Sequence, residues 1–288
     1  MNPRFNTAAR KNAGTTLATS KVIPPATRRL LVSRFLEAVE RGERPAVADM
    51  LRNFRGLAGS LRVADKTGME VMQTALHIAA QKGLLGIVQD LVQAGATIDA
   101  EDAMGQTPLM LSAMYGRSET VKFLLSKDAN PNHVASEGYS ALIYAARNNS
   151  PESVRYLLAK KADINQQTEA GDSALHYAVY AEKEQHALAM AQLLMIRGID
   201  VTLKNVDGQT ASRLACDEKK PAIAAFIDSF SEDRARIARR REQRRPENIA
   251  RVGDSFRTGA GRPLVPPARA RFHRKKPPQN LPPAVTAA

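Results

Sequence analysis

Gly105-Gln-Thr-Pro-Leu-Met-Leu-Ser-Ala113, Gly138-Tyr-Ser-Ala-Leu-Ile-Tyr-Ala-Ala146 and Gly171-Asp-Ser-Ala-Leu-His-Tyr-Ala-Val179 are three copies of one pattern set 33 residues apart. Upstream lies Thr74-Ala-Leu-His-Ile-Ala-Ala80, and downstream Gly208-Gln-Thr-Ala-Ser-Arg-Leu-Ala215, after a spacing of 37. A second marker keeps the same step: Gly95-Ala96, Asp128-Ala129, Lys161-Ala162 and Gly198-Ile199, spaced 33, 33 and 37. Two markers in phase define a structural repeat, and a period in this range means stacked supersecondary units.

Each unit reads the same way from end to end. A glycine accepts the positive φ of a tight turn. The Thr or Ser two residues later caps a helix, and Pro108 stands where a first-turn proline is free of penalty. Leucine and paired alanines then make a short helix whose small side chains let neighbours come close. Gly83, Gly116 and, in their place, Asn149 end it in the left-handed conformation. A second helix comes next, apolar at Val88/Leu91/Val92, Val121/Leu124/Leu125 and Val154/Leu157/Leu158, one face of an amphipathic helix. No unit buries both helices alone, so the units must stack.

The 33-residue period, the Thr-Pro-Leu-His-x-Ala core motif and the Gly-Ala ending resemble ankyrin repeats, over residues 65–230. The fold this implies is all-α: a solenoid of helix–turn–helix pairs with β-turn tips. The expected organisation is a disordered basic leader over 1–28, a repeat domain over 29–230, and an Arg/Pro-rich tail over 231–288 that is helical at first and then disordered. Within the repeat domain, Phe35 to Asn53 reads as a degenerate cap unit, followed by four repeats and a terminal cap. Gly42 and Gly83 lie 41 residues apart, which places a longer loop between Gly56 and Gln73. The four extra residues of the fourth unit are expected between its helices, near Tyr180–Gln185. Ser212 and Arg213 replace the usual Leu and His, giving the polar face that a terminal unit needs.

Composition agrees. The chain has 288 residues, no tryptophan and 5% aromatics, which suits helices packed through Ala, Leu, Val and Ile. Its net charge is +13, of which residues 1–30 supply +6 and residues 231–288 supply +10, leaving the middle at −3. The basicity belongs to the ends. The one cysteine, Cys216, excludes an internal disulfide framework, and its place in an alanine position predicts a buried small residue. No apolar run approaches the ~20 residues of a membrane span. A cytoplasmic monomer is expected, with the nucleus or delivery into a host cell as alternatives.

No catalytic constellation stands out. His77 and His176 occupy the motif histidine, which the resemblance assigns to hydrogen bonding between units. His133, His186 and His273 lack a second ligand at metal spacing, and one cysteine cannot assemble a zinc set. No cofactor is expected, and no enzyme.

In ankyrin proteins the partner is gripped by the turn tips and the inward face of the first helices. Carried over unit by unit, this implies a protein-binding surface of Met104, Gln106, Met114, Tyr115, Tyr139, Arg147, Asn148, Asp172 and Tyr180. Tyr and Arg are enriched in hot spots, and Met adapts to an apolar partner. Acids gather at one end: Glu169, Asp172, Asp207, Asp217 and Glu218. The function expected is an adaptor, inhibitor or scaffold. Two alternatives attach to the ends. Arg239, Arg240, Arg241, Arg244 and Arg245 suit nucleic acid, an acidic partner or an anionic surface, and the basic leader suits a host-delivered bacterial effector of ankyrin type. A solubilising tail explains the same arginines.

Overall fold

The computed structural model describes residues 25–54, 56–64 and 70–243. They form helices in consecutive pairs: α1 (Pro25–Arg41) with α2 (Arg44–Asn53), α3 (Ala75–Lys82) with α4 (Leu85–Gln93), and α5 (Pro108–Met114) with α6 (Ser118–Ser126). Next come α7 (Ala141–Arg147) with α8 (Pro151–Ala159), α9 (Ala174–Val179) with α10 (Glu184–Ile196), and α11 (Ala211–Asp217) with α12 (Pro221–Gln243). First helices pack on first helices in chain order, α1 on α3 and so on to α9 on α11, and α2, α4, α6 and α8 pack likewise.

The repeat residues make the local structure they predict. Thr107, Ser140 and Thr210 each cap a first helix through a side-chain oxygen that accepts from a backbone N–H. Gly83, Gly116 and Asn149 take φ of 73°, 66° and 50° after α3, α5 and α7. One continuous core runs through the stack, from Phe35 and Val39 through Leu76, Leu109, Leu142 and Leu175 to Leu214 and Ile223. Ala79, Ala80, Ala113, Ala145, Ala146 and Ala178 are fully buried where first helices meet, so backbones approach with little side chain between them.

Three sets of hydrogen bonds fix the units to one another. At the tips, Ser136 N–H donates to the Met104 carbonyl (3.0 Å), Glu169 N–H to Glu137 (2.8 Å) and Val206 N–H to Ala170 (2.9 Å). Along the loops after the second helices, Asp99 accepts from Asn130 N–H (3.1 Å), Asn132 Oδ1 from Asp163 N–H (2.7 Å) and Asn165 Oδ1 from Asp200 N–H (2.8 Å). The third set is the motif histidines. His77 Nδ1 accepts from Thr74 N–H at 3.1 Å while its Nε2–H donates to the Gln106 carbonyl of the next unit at 3.0 Å. His176 does the same between Ser173 and Gln209, at 3.2 and 3.1 Å.

Three details differ from the sequence reading. The longer loop is partly an antiparallel hairpin, β1 (Leu61–Ala64) with β2 (Glu70–Thr74), with Leu61 opposite Thr74. Its base joins α3, where Ala75 N–H donates to the Ser60 carbonyl (3.1 Å). The four extra residues of the fourth unit do not swell the connection. Only Tyr180–Lys183 separate α9 from α10, and α10 has 13 residues where α4, α6 and α8 have nine. Four residues are close to one helical turn, so α10 absorbs them at its start without losing the phase of its buried face. Cys216 is exposed rather than buried. Its counterparts Ala113 and Ala146 are covered by the next first helix, and among the described residues no first helix comes after α11.

The ties between units can be tested at two places. At Gly171 (φ +76°) an added Cβ would lie 2.8 Å from the Asn205 Cα, whereas at Gly208 (φ +73°) it would meet nothing within 4 Å. Gly208→Ala carries only left-handed strain, about 1 kcal/mol. Gly171→Ala must also prise two tips apart, and urea denaturation should show it at least about 1 kcal/mol worse. Burial holds the His77 imidazole below its ordinary value, against the opposing pull of the Gln106 carbonyl. The unfolded chain therefore binds that proton first, and stability is lost as pH falls below about 6.5. The urea midpoint should drop between about pH 7.5 and about pH 5.5, and His77→Gln should flatten part of that slope.

Candidate partner-binding groove

Each first helix ends at a residue that the stacking does not dictate. Those residues are Tyr115 after α5, Asn148 after α7, Tyr180 after α9 and Glu218 after α11. Stacking sets them side by side in a row. The tips overlie the same face of the first helices: Gln106 Nε2 donates to the Tyr144 hydroxyl of α7 at 2.6 Å, and Gln209 Nε2 donates to Asp217 of α11 at 2.8 Å. Tips and helix ends thus wall a single groove.

The residues implied by the resemblance divide into two groups. Met104, Tyr115, Arg147, Asn148 and Tyr180 are exposed, with Tyr115 42% and Tyr180 47% accessible. Asn148 leans back over the previous unit, its Nδ2 2.5 Å from where a Cβ on Gly116 would stand. Met114 is half-buried against the core. Gln106 is 7% exposed and is turned inward onto Tyr144, so its side chain is not the free tip contact expected from the repeat pattern. The cause is local: Asp102 Oδ1 accepts from both Met104 N–H and Gln106 N–H (2.9 Å each), which folds the tip over and aims Gln106 at the helices.

Tyr139 is also a structural residue in part. Its ring stacks on Tyr144 at 5.0 Å between centroids and 12° between planes, and its hydroxyl shares a 2.8 Å bond with that of Tyr177. Tyr177 in turn lies 6.3 Å from Tyr180. Tyr139, Tyr144, Tyr177 and Tyr180 therefore run across two units along the groove. Burial pushes the Tyr144 hydroxyl up from its ordinary value, and burial together with the bond to Tyr139 raises that of Tyr177. Both phenols stay neutral and act as hydrogen-bonding groups. Tyr144 and Tyr177 are missing from the set that the resemblance implies. Their separation of 33 residues, one repeat period, places them at the same position of α7 and α9 and is the signal that finds them.

Asp172 lies at the tip of the fourth unit, half-buried, with Oδ1 enclosed and no donor to it among the described residues. Of the tail arginines, Arg239, Arg240 and Arg241 fall within α12, while Arg244 and Arg245 lie outside the described residues, as do residues 1–24 of the expected leader; its residues 25–28 begin α1 and are helical. Among the described residues no helix is long and apolar enough to cross a membrane.

A family model described as Ankyrin repeats (3 copies) matches residues 36–135, 76–168 and 126–205, together more than half of the chain. No curated protein matches.

The division of the tyrosines predicts opposite outcomes for two similar substitutions. Tyr139→Ala removes a stacked ring and a hydroxyl bond and should cost about 2 kcal/mol in chemical denaturation. Tyr115→Ala removes an exposed ring at a helix end and should stay within about 0.5 kcal/mol.

Proposed function

Because the chain belongs to the ankyrin-repeat family, whose repeats are generally protein–protein interaction modules, we propose that it is a non-enzymatic holder of a partner protein. The partner is gripped in the groove between the tips and the ends of the first helices. One observation carries this reading. Of the nine large apolar side chains exposed among the described residues, Met104, Tyr115, Val134, Tyr180 and Val206 all sit at tips or at first-helix ends. The repeat needs none of them there, and solvent does not favour them. A concentration of exposed apolar groups on one face is the signature of a contact surface.

Arg147, exposed at the last position of α7 and at the repeat position of Tyr180 one unit earlier, adds a charged hot-spot residue to that face. The aromatic floor gives rigid contact area with little entropy to lose. An adaptor, an inhibitor and a scaffold all use such a surface, and they differ in what the partner does once held.

The test is co-purification with the tagged full chain from its native cells, with the bound proteins then identified. Tyr115→Ala combined with Arg147→Ala should release the main partner while leaving the melting temperature within a few degrees, since both side chains are exposed. An unchanged set of bound proteins would sink the groove as the contact surface.

A further inference from the structure

The exposed end of the groove has a chemistry of its own. Tyr180 presents a ring that is 47% accessible and tilted 54° to Tyr177. Three carboxylates on neighbouring elements act on it electrostatically. Asp172 belongs to the tip of the same unit, Asp207 to the next tip, and Glu218 to the end of α11, one residue past Asp217, the repeat counterpart of Tyr180. The two tips are held together by the bond from Val206 N–H to the Ala170 carbonyl and by the bare α-carbon of Gly171 against Asn205. The Tyr180 hydroxyl lies above its ordinary value through partial burial and then through Asp172, Glu218 and Asp207, all of which act on it.

Two of the cations near this end are already committed. Lys220 Nζ donates to the carbonyls of Val179 (2.6 Å) and Ala181 (2.9 Å), on either side of Tyr180 in the chain. Arg213 pairs with Asp217 at 3.5 Å. None of Asp172, Asp207 and Glu218 has an ion pair with a described residue, and the enclosed Oδ1 of Asp172 has no donor among them. An exposed ring and three carboxylates without an ion pair among the described residues are complementary to a single kind of group. It must be cationic, flat enough to lie on the ring, and rich enough in N–H donors to reach more than one carboxylate. An arginine guanidinium has that shape and charge, and a lysine ammonium is a point charge that lacks the planar fork.

We propose that the partner protein docks an arginine on Tyr180, between the carboxylates of Asp172, Asp207 and Glu218. This rests on the reading of the groove as a protein-binding surface and adds the chemistry of the segment that enters its far end. Met104, Tyr115 and Val134 at the other end take the apolar remainder of that segment, so the bound segment is apolar at one end and basic at the other.

A random peptide library displayed on phage, panned on the full-length chain, tests it. Recovered peptides should be enriched in arginine, and their binding should weaken at least about tenfold with Tyr180→Ala or with Asp207→Asn plus Glu218→Gln. Replacing the peptide arginine with lysine should weaken it by a similar factor, and added salt should weaken wild type more than the carboxamide variant. Asp207 and Glu218 are exposed, so their variants should melt with the wild type. Peptides that lose affinity with Tyr115→Ala yet ignore Tyr180→Ala, the carboxamides and the arginine-to-lysine change would overturn the arginine site and leave the groove standing. Peptides indifferent to Tyr115→Ala, Arg147→Ala and Tyr180→Ala alike would overturn both.

Discussion

Backbone hydrogen bonds from Ser136 to Met104, from Glu169 to Glu137 and from Val206 to Ala170 hold successive tips at one fixed separation. The rest of the repeat region depends on that separation. A helix pair of this size has too little apolar surface to stabilise itself, and it gains its core only from the neighbouring unit. The tip bonds set how far that neighbour stands, and everything between them must fit the gap. Alanines fill it where first helices meet, and glycine fills it at Gly138 and Gly171. There a Cβ would come within 2.7 and 2.8 Å of the next unit's backbone. The histidine bridges belong to the same gap. His77 and His176 each span from their own N-cap to a carbonyl of the next tip, a distance that exists only when the units are in register.

A spacing so tightly set leaves the groove little freedom of its own, and this decides which side chains are available to a partner. Rings on the floor serve the stack: Tyr144 receives Gln106, and Tyr139 stacks on Tyr144 and bonds Tyr177. Those at the ends of the first helices do not. Tyr115 and Tyr180 point past the last turn, where the next unit offers no surface to cover them. The floor therefore gives the groove rigidity, and the row of helix ends keeps its rings exposed. Pre-organised aromatic surface flanked by exposed charge is a sound arrangement for holding a protein without ordering much on binding.

Much of this was legible in the sequence because the repeat is a backbone phenomenon. The 33-residue step of Gly105, Gly138 and Gly171 reports turns, and Thr107, Ser140 and Thr210 report caps. Such features depend on residues close in the chain, so their signals are local. The inward turn of Gln106 was not legible, since it depends on Asp102 folding the tip and on a hydroxyl 38 residues away. The structural role of Tyr139 was hidden for a like reason, since its hydroxyl partner Tyr177 lies 38 residues away in α9. Cys216 failed on position in the stack rather than on position in the unit. An alanine site is buried only if another unit comes after it, and no periodic argument carries that information past the last repeat.

The fourth unit breaks the local rule for ending a first helix. Gly116, Asn149 and Lys219 turn the chain left-handed after α5, α7 and α11, and no residue between α9 and α10 does so. The carbonyls that such a turn leaves open are taken by Lys220, which reaches back from the next unit. That lysine supplies the positive charge that favours a helix C-terminus, and in doing so it is withdrawn from the carboxylates of Asp172, Asp207 and Glu218. The departure thus has two effects at one place. It brings Lys220 onto the helix end on either side of the exposed Tyr180, and it withdraws that cation from the surrounding acids. Natural sequences break their own structural rules mainly where something other than stability is at stake. In this chain the broken rule, the exposed ring and the unpaired charge coincide at one end of the groove, and that coincidence gives the groove its direction.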